Sequence, residues 1–457
     1  MQNPETKRLW KIHGKYYDLT DFMDKHPGGR TVLEACKGLI DSTPLFESYH
    51  SVCDMDKIKA IMPKYEVSVS TSVPTIFSMS DVISKSNQGP KYTFNRDGFY
   101  SVVTNRVREH FNKNSHHYNS FWLVKSIVQI LMYVVAFTTA FWFTDLNFHV
   151  RCISAVVAGL MVVGAGFGVM HDASHFAVAR SDKINTLLSR TWNGIALWDH
   201  QLWLMHHVVR HHSFTGDDNW DPDVLHLRPF VQKTPYDKRS GYISTALNFP
   251  RFMTLLVSVV FPGLFVGQCV MYHLMWPLRG RIWRMEFPKY YRRSLYETLL
   301  NLVTCVSFVY GGSLTVFLAY IVPLNILYFV GIFPDHDTQK TADNKIKSTD
   351  STDNGLDIDW GEMQVRNSGN FATSNKVFTY FMGGINYQIE HHLFPSVCHV
   401  HYPAISSIVK KTCAEFNIPY VEYDSVVSAV NECLTHMLNV SDTSRALNKN
   451  KLAHKTN

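Results

Sequence analysis

No C-x-x-C pair occurs among the eight cysteines of this chain, which stand singly at positions 36, 53, 152, 269, 305, 398, 413 and 433. That excludes a thiolate zinc site of ordinary spacing and argues against a disulfide framework, leaving reduced thiols in packing roles. An excess of one charge is also missing: 44 Lys and Arg stand against 38 Asp and Glu, a formal net charge of +6. The basic residues border apolar blocks instead of forming one arm, so a nucleic-acid partner is not expected and a membrane surface is. The stretch Met1 to Arg8 is polar and charged, so no secretory leader is expected and the chain should begin in the cytosol.

What is present is segregated. Hydrophobic residues make up 46% of the chain, ordinary for a globular protein, but they concentrate in blocks at roughly 121–143, 152–170, 252–276 and 295–333. Each is long enough to test against the ~20 residues that cross a bilayer. The first two blocks read as a pair of spans, with Lys125 the one charge inside the first. Arg151 is the one basic residue of the turn 144–151, whereas 180–293 carries many, among them Arg180, Lys183, Arg190, Arg210, Arg279, Arg281, Arg292 and Arg293. That asymmetry puts the residues after the pair in the cytosol. Block 295–333 is too long for one helix across ~30 Å of hydrocarbon, and Gly311-Gly312 offers a turn, so a hairpin of two spans is expected. Block 252–276, marked by Pro250, Pro262 and Pro277, would then lie in the interface or re-enter. The alternative is one crossing there and one long tilted crossing at 295–333.

Three histidine clusters are distributed around these blocks: His171-Asp172-Ala173-Ser174-His175, His206-His207-Val208-Val209-Arg210-His211-His212, and Gln388-Ile389-Glu390-His391-His392. His171 and His175, and His207 and His211, are four apart and would share one face of a helix at ~3.6 residues per turn. All-nitrogen donor sets suit iron, copper or zinc, whereas magnesium or calcium calls for carboxylates and carbonyls. For His391 and His392 to join the earlier clusters, an even number of crossings must separate them. The hairpin satisfies that parity.

The remaining segments have simpler readings. Residues 67–90 are rich in serine and threonine and read as a flexible linker. Residues 94–118 suggest an amphipathic helix on the membrane face, with His116 and His117 without a role. The polar run 338–357 reads as a mobile loop, 402–430 has helical spacing, and the basic tail from Arg445 is expected to be disordered. Trp192, Trp198 and Trp203 read as membrane-interface anchors, with substrate lining as the alternative. Asp172 and Glu390 are candidates to orient ligand imidazoles or else surface positions.

Residues 8–66 contain His26-Pro27-Gly28-Gly29 and, 24 residues after that histidine, Phe46-Glu47-Ser48-Tyr49-His50. HPGG followed by F-x-x-x-H resembles the haem-binding signature of the cytochrome b5 family. The resemblance implies that His26 and His50 are the two axial ligands of a haem b, and two protein ligands suit electron transfer over oxygen activation. A Pro-Gly-Gly turn also lets backbone pass close to a flat macrocycle.

The histidine clusters, with Asp221-Pro222-Asp223 after the second and Gly383-Gly384-Ile385-Asn386-Tyr387 before the third, resemble the membrane fatty acid desaturase family. Fusion to a cytochrome b5 unit resembles its front-end subgroup, as does Gln388 in place of histidine. The resemblance implies two irons held by His171, His175, His207, His211, His212, His336, His391 and His392. His206 competes with His207, and Gln388 is a weak ligand or a supporting group.

The implied architecture is a small α+β cytochrome b5-like domain (8–66), a linker (67–90), and an all-α integral membrane domain (91–440) ending in a basic tail (441–457). The membrane domain would have four transmembrane helices and a cytosolic helical cap holding a histidine-rich diiron site. The implied activity is front-end desaturation of a polyunsaturated acyl chain carried on coenzyme A or phospholipid, of delta-5 or delta-6 type, with O2 as co-substrate. Electrons would come from NADH-cytochrome b5 reductase through the haem. The implied location is the endoplasmic reticulum membrane, multi-pass, among membrane lipids, with both termini cytosolic. A sphingolipid long-chain-base desaturase or fatty acyl hydroxylase shares the chemistry. A non-catalytic, membrane-tethered electron carrier is the alternative from a different class.

Overall fold

The computed structural model describes residues 9–68, 92–112, 115–217, 220–225, 281–282, 285–286, 294–346 and 358–456. Most of the expected linker, the apolar block 252–276 and the second half of the polar run 338–357 lie outside the described residues.

The N-terminal unit is a three-stranded antiparallel sheet of β1 (Trp10–Ile12), β2 (Lys15–Tyr17) and β3 (Glu66–Val67), with helices α1 (Arg30–Cys36), α2 (Thr43–Tyr49) and α3 (Met55–Ile61) between β2 and β3. Trp10, Ile12, Tyr17, Leu19, Leu33 and Leu45 form its core. That core does not stop at the unit's edge. Leu202, Met205, Val209, Phe214 and Trp220 pack into the same cluster, so the unit is docked on the segment that carries the second histidine cluster. A flexible tether alone would not bury this surface.

Four apolar helices form the body: α5 (Ser120–Phe141), α6 (Phe148–Ala165), α8 (Leu295–Gly311) and α9 (Leu314–His336); the amphipathic α7 (Asp182–Ile195) comes between the two pairs. By length and composition, α5, the continuous helix Phe148–Ser174 that α6 begins, and the helix beginning at Leu314 are each able to cross a membrane; Leu295–Gly311 is shorter. Their outward residues are large and apolar, among them Val124, Val135, Ile153, Leu302, Val309 and Leu314. The Gly311-Gly312 turn is where the sequence places it. Gly312 takes φ +63°, the left-handed conformation that ends a helix, and Ser313 caps the next one by accepting from Val316 N.

Close approach of helices is built with glycine: a Cβ at Gly159 would overlap the carbonyl of Tyr320, so α6 and α9 touch backbone to backbone there. Arg151 is not the solvent-facing charge expected of the turn 144–151. It is buried, and its guanidinium donates to the carbonyls of Ala140 and Gly311, at the C-termini of α5 and α8. Both hairpin turns are thereby held at one end of the bundle, and the histidines sit at the other.

Three further expectations change. Helix α4 (Phe99–Phe111) is amphipathic, but Phe99, Tyr100, Val103 and Val107 are buried against Trp360, Ile405 and Val409, a protein core and not a membrane face. The polar run begins as an ordered helix, Gln339–Asn344, because Thr338 and Thr341 cap it reciprocally. The tail is helical: α13 (Val426–Thr456) runs through Arg445, since no proline or glycine interrupts it and Ala, Leu and Lys favour helix. Between them come α10 (Trp360–Arg366), α11 (Gln388–Leu393) and α12 (Tyr402–Glu415), with a parallel pair of strands, Gly369–Phe371 and Val421–Tyr423, behind α11.

Candidate metal centre

The histidines converge because two helices depart from α geometry. Gly166–His171 and Leu204–His211 are π-helical turns, whose i→i+5 hydrogen bonding widens the helix and recurs at functional sites. His171 and His175 both face the site. His207 and His211, expected on one face, do lie side by side: their rings stack with centroids 5.4 Å apart, and with Asp223 they form a further group of neighbouring ligand atoms.

His171, His175, His207 and His391 form one group whose ligand atoms lie within 4.8 Å of one another, and His211, His336 and His392 form a second. The groups adjoin: the His212 ring is 4.6 Å from that of His391 and 4.4 Å, nearly parallel, from that of His392. His212 thus stands between them. Gln388 has its side-chain amide 2.9 Å from His336 Nε2 and 3.1 Å from His392 Nε2, at the second group. His206 is in neither group and pairs with the Asp223 carboxylate, whose other oxygen lies 3.3 Å from His211 Nδ1. Of His206 and His207, it is His207 that lies in the first group, and its ring also stacks on Trp203 at 4.3 Å.

These residues suit a metal. Nε2 of His175 and of His391, both buried, meets no hydrogen-bonding partner among the described residues. Buried unpaired nitrogens are destabilising by ~1–3 kcal/mol each, a penalty that coordination removes. Nε2 of His171 and of His207 lie 3.0 Å apart, the spacing of neighbouring nitrogens on one ion with bonds of ~2.0–2.1 Å. Burial, reinforced by neighbouring histidines, holds His175, His207, His212, His391 and His392 well below the usual 6.5. The rings are therefore neutral, the form that binds metal.

The opposite ring nitrogens are fixed by partners that sequence reasoning did not assign. His391 Nδ1 pairs with Tyr402 Oη at 3.0 Å, His392 Nδ1 with Gln364 Oε1 at 2.9 Å, His336 Nδ1 with the Asn367 carbonyl at 2.7 Å, and His211 Nδ1 with Asp221 at 3.1 Å. His175 Nδ1 pairs with Tyr49 Oη at 2.6 Å, a residue of the N-terminal unit. Such contacts set ring orientation and tautomer. The aspartate had a signal, Asp221-Pro222-Asp223, but the others come from sites distant in sequence. Asp172 and Glu390 are buried, not surface residues, and the hydrogen bonds of their carboxylates run away from the two histidine groups. Asp172 accepts from Trp122 and pairs with His399, and Glu390 accepts from Asn370 and Tyr420. Trp192 and Trp203 are also buried, Trp192 donating to the Val162 carbonyl and Trp203 to Ser174, so neither is an interface anchor.

In the N-terminal unit, His26 and His50 face each other with ring centroids 6.0 Å apart, room for one ion with bonds of ~2.0–2.1 Å on each side. His26 Nδ1 bonds the Gly29 carbonyl at 3.2 Å and His50 Nδ1 the Phe46 carbonyl at 2.7 Å, leaving Nε2 of each for a metal. Burial lowers His26 to about 4 and lowers His50 as well. Gly28 lies against the His26 ring. Gly29, at φ +88°, instead meets Asp182 of α7, where any Cβ would overlap the carboxylate.

Comparison with known proteins agrees with this division. Residues 1–70 match the model of the cytochrome b5-like haem/steroid binding domain, and residues 147–424 match that of fatty acid desaturase. An acyl-lipid (8-3)-desaturase of Physcomitrium patens is 28% identical over 94% of this chain and 88% of its own length. A probable Delta(5) fatty acid desaturase C of Dictyostelium discoideum is 26% identical over 96% and 94%. An sn-1 linoleoyl-lipid 6-desaturase of a Synechocystis strain is 25% identical over 74% of this chain and 94% of its own length. Fold, site and relatives together define a membrane-type oxidoreductase with a fused haem-binding domain. The chain belongs to the fatty acid desaturase family, in the front-end group with an N-terminal cytochrome b5-like domain.

Proposed function

We propose that this protein is an acyl-lipid front-end desaturase of delta-5 or delta-6 type, placing a cis double bond between the carboxyl end and an existing double bond of a polyunsaturated acyl chain. The observation that supports it most directly is the convergence of buried, neutral imidazoles into two adjoining groups beside a docked haem-binding unit. The names of the relatives, which include 8-3, Delta(5) and 6-desaturases, support the positional class.

His171, His175, His207 and His391 would hold one iron, and His211, His336 and His392 a second, with His212 between them and Gln388 beside the second. When bound, the iron pair supplies the oxygen-activating chemistry that removes two hydrogens from an unactivated hydrocarbon, with O2 as co-substrate. The protein's own part is to orient and to exclude. Tyr402, Gln364, Asn367 and Asp221 fix the ring tautomers, and Trp203, Leu204 and Val208, all buried, keep water from His207. His26 and His50 would hold a haem b, which would supply the passing of one electron at a time.

In this reading NADH-cytochrome b5 reductase feeds the haem, and the acyl chain arrives on coenzyme A or phospholipid. The haem domain covers 8–66, the linker 67–90, the desaturase domain 91–440 and the tail 441–457. Helices α5, α6, α8 and α9 would cross the endoplasmic reticulum membrane, with both termini cytosolic.

The test is expression in yeast fed polyunsaturated precursors, followed by lipid analysis. A new double bond on the carboxyl side of an existing one is the expected product. No new double bond in any acyl chain would overturn the reading. His391→Ala is expected to abolish the product while the haem absorption spectrum persists.

A further inference from the structure

The haem-binding unit meets the iron-binding region through one residue whose position is specific. Tyr49 ends α2 and is joined by a peptide bond to His50; its hydroxyl lies 2.6 Å from His175 Nδ1. The rings of Tyr49 and His175 are nearly parallel, 16° apart, with centroids 6.2 Å apart. The other ring nitrogen, His175 Nε2, is buried, has no partner among the described residues and faces the first histidine group. With Nε2 holding a metal, Nδ1 would carry the proton and donate to Tyr49 Oη. From His50 to His175 the path is covalent except for this one short hydrogen bond.

Other contacts of the unit lead elsewhere. Gly29 abuts Asp182, Arg108 Nε donates to the Ser51 carbonyl at 3.0 Å, and Leu33 belongs to the apolar cluster of Met205 and Val209. None of these is a bonded route from His26 or His50 to a site histidine. Electron tunnelling falls off more steeply across gaps than along bonds, so the bonded route is favoured.

We propose that Tyr49 is the bridge by which electrons pass from the haem to the iron centre. The inference rests on the proposed function above. In each passage one electron leaves the ferrous haem, which becomes ferric, and the iron centre is reduced by one. Tyr49 keeps its O–H bond and its charge, and no proton moves between the partners. Two passages supply the two electrons that accompany each double bond formed.

The test uses the full-length protein with haem reduced beforehand. Haem re-oxidation is followed by its absorption after mixing with oxygen and an acyl substrate, in the wild type, Tyr49→Phe, Tyr49→Met and Arg108→Gln. Tyr49→Phe keeps the ring and removes the oxygen, Tyr49→Met fills the space without a ring, and Arg108→Gln weakens docking elsewhere. The expected result is re-oxidation slowed by about 10-fold or more in both Tyr49 variants, with the wild-type rate in Arg108→Gln. Iron content and amide exchange protection of residues 200–212 are expected to match the wild type. A wild-type rate in Tyr49→Phe would overturn the proposal, and so would equal slowing in Arg108→Gln or loss of iron from Tyr49→Phe. Failure of the wild type itself to re-oxidise would instead reject the proposed function.

Discussion

The guanidinium of Arg151 donates a 2.6 Å hydrogen bond to the carbonyl of Gly311, tying the turn after α5 to the turn after α8. A second bond, at 3.0 Å, reaches the carbonyl of Ala140. These are among the last carbonyls of two helices, groups with no partner inside their own helix.

Replacing Arg151 by methionine removes both donors and leaves the carbonyls unpaired in a buried setting, a loss of ~1–3 kcal/mol. The expected outcome is a melting temperature lower by several degrees in detergent, followed by tryptophan fluorescence, with iron content unchanged below the transition. An unchanged melting temperature would show that the two turns hold together without it.

Gly383 and Gly312 both have positive φ, +60° and +63°, but differ in surroundings. A Cβ at Gly383 would overlap the backbone of Phe167 and Gly168, in the π-helical turn ahead of His171; at Gly312 the nearest atom is 3.7 Å away. Gly312→Ala therefore meets only the left-handed conformation, ~1–2 kcal/mol. Gly383→Ala must also push the π-turn aside and is expected to lower bound iron as well as stability. Metal analysis of both variants separates the two, and equal iron content in both would contradict the prediction.

His207 lies in the first metal group and His206 against Asp223. His207→Ala is expected to lose iron from the purified protein, while His206→Ala retains it. The reverse pattern, read by elemental analysis, would move the ligand assignment by one residue.

The stability of the metal-free protein is expected to depend on pH through buried histidines. Burial lowers His116 to about 4 and His200 to about 3, below the ordinary 6.5. Between those values and 6.5 the unfolded chain binds more protons, so stability is complete above about 6.5 and falls as the pH drops toward 4. Glu390, raised by burial to about 7, acts in the opposite sense: its contribution falls as pH rises from 4.5 to 7. Burial raises the carboxyls of Asp182 and Asp359 as well, but the buried histidines are more numerous. Melting temperature should therefore decrease from pH 7 to pH 5, and a rise over that interval would refute this account.

Much of the site was legible because its chemistry is written in residue type and spacing. HDASH, the second cluster and QIEHH named the imidazoles, and Gly311-Gly312 named the hairpin turn, since a left-handed cap has a local cause. What spacing missed has a common origin. The i, i+4 spacing placed His207 beside His211, where their rings stack, but it could not say which histidines of other segments each would join. Arg151 read as a topology marker because the carbonyls it satisfies lie as far away as Gly311. Helix α4 showed its apolar face, but a periodic pattern does not say whether lipid or Trp360 covers it.

By itself, the sequence determined which side chains could bind metal, that a cytochrome b5-like unit with His26 and His50 precedes them, and where apolar helices begin and turn. These follow from composition and short-range geometry. Only the tertiary structure decided that His207 and not His206 enters the site, that Tyr402, Gln364, Asn367 and Asp221 fix the rings, and that Tyr49 of the N-terminal unit meets His175. Those choices depend on packing between segments that meet only after folding, where a hydrogen bond at 2.6 Å joins residues 126 positions apart.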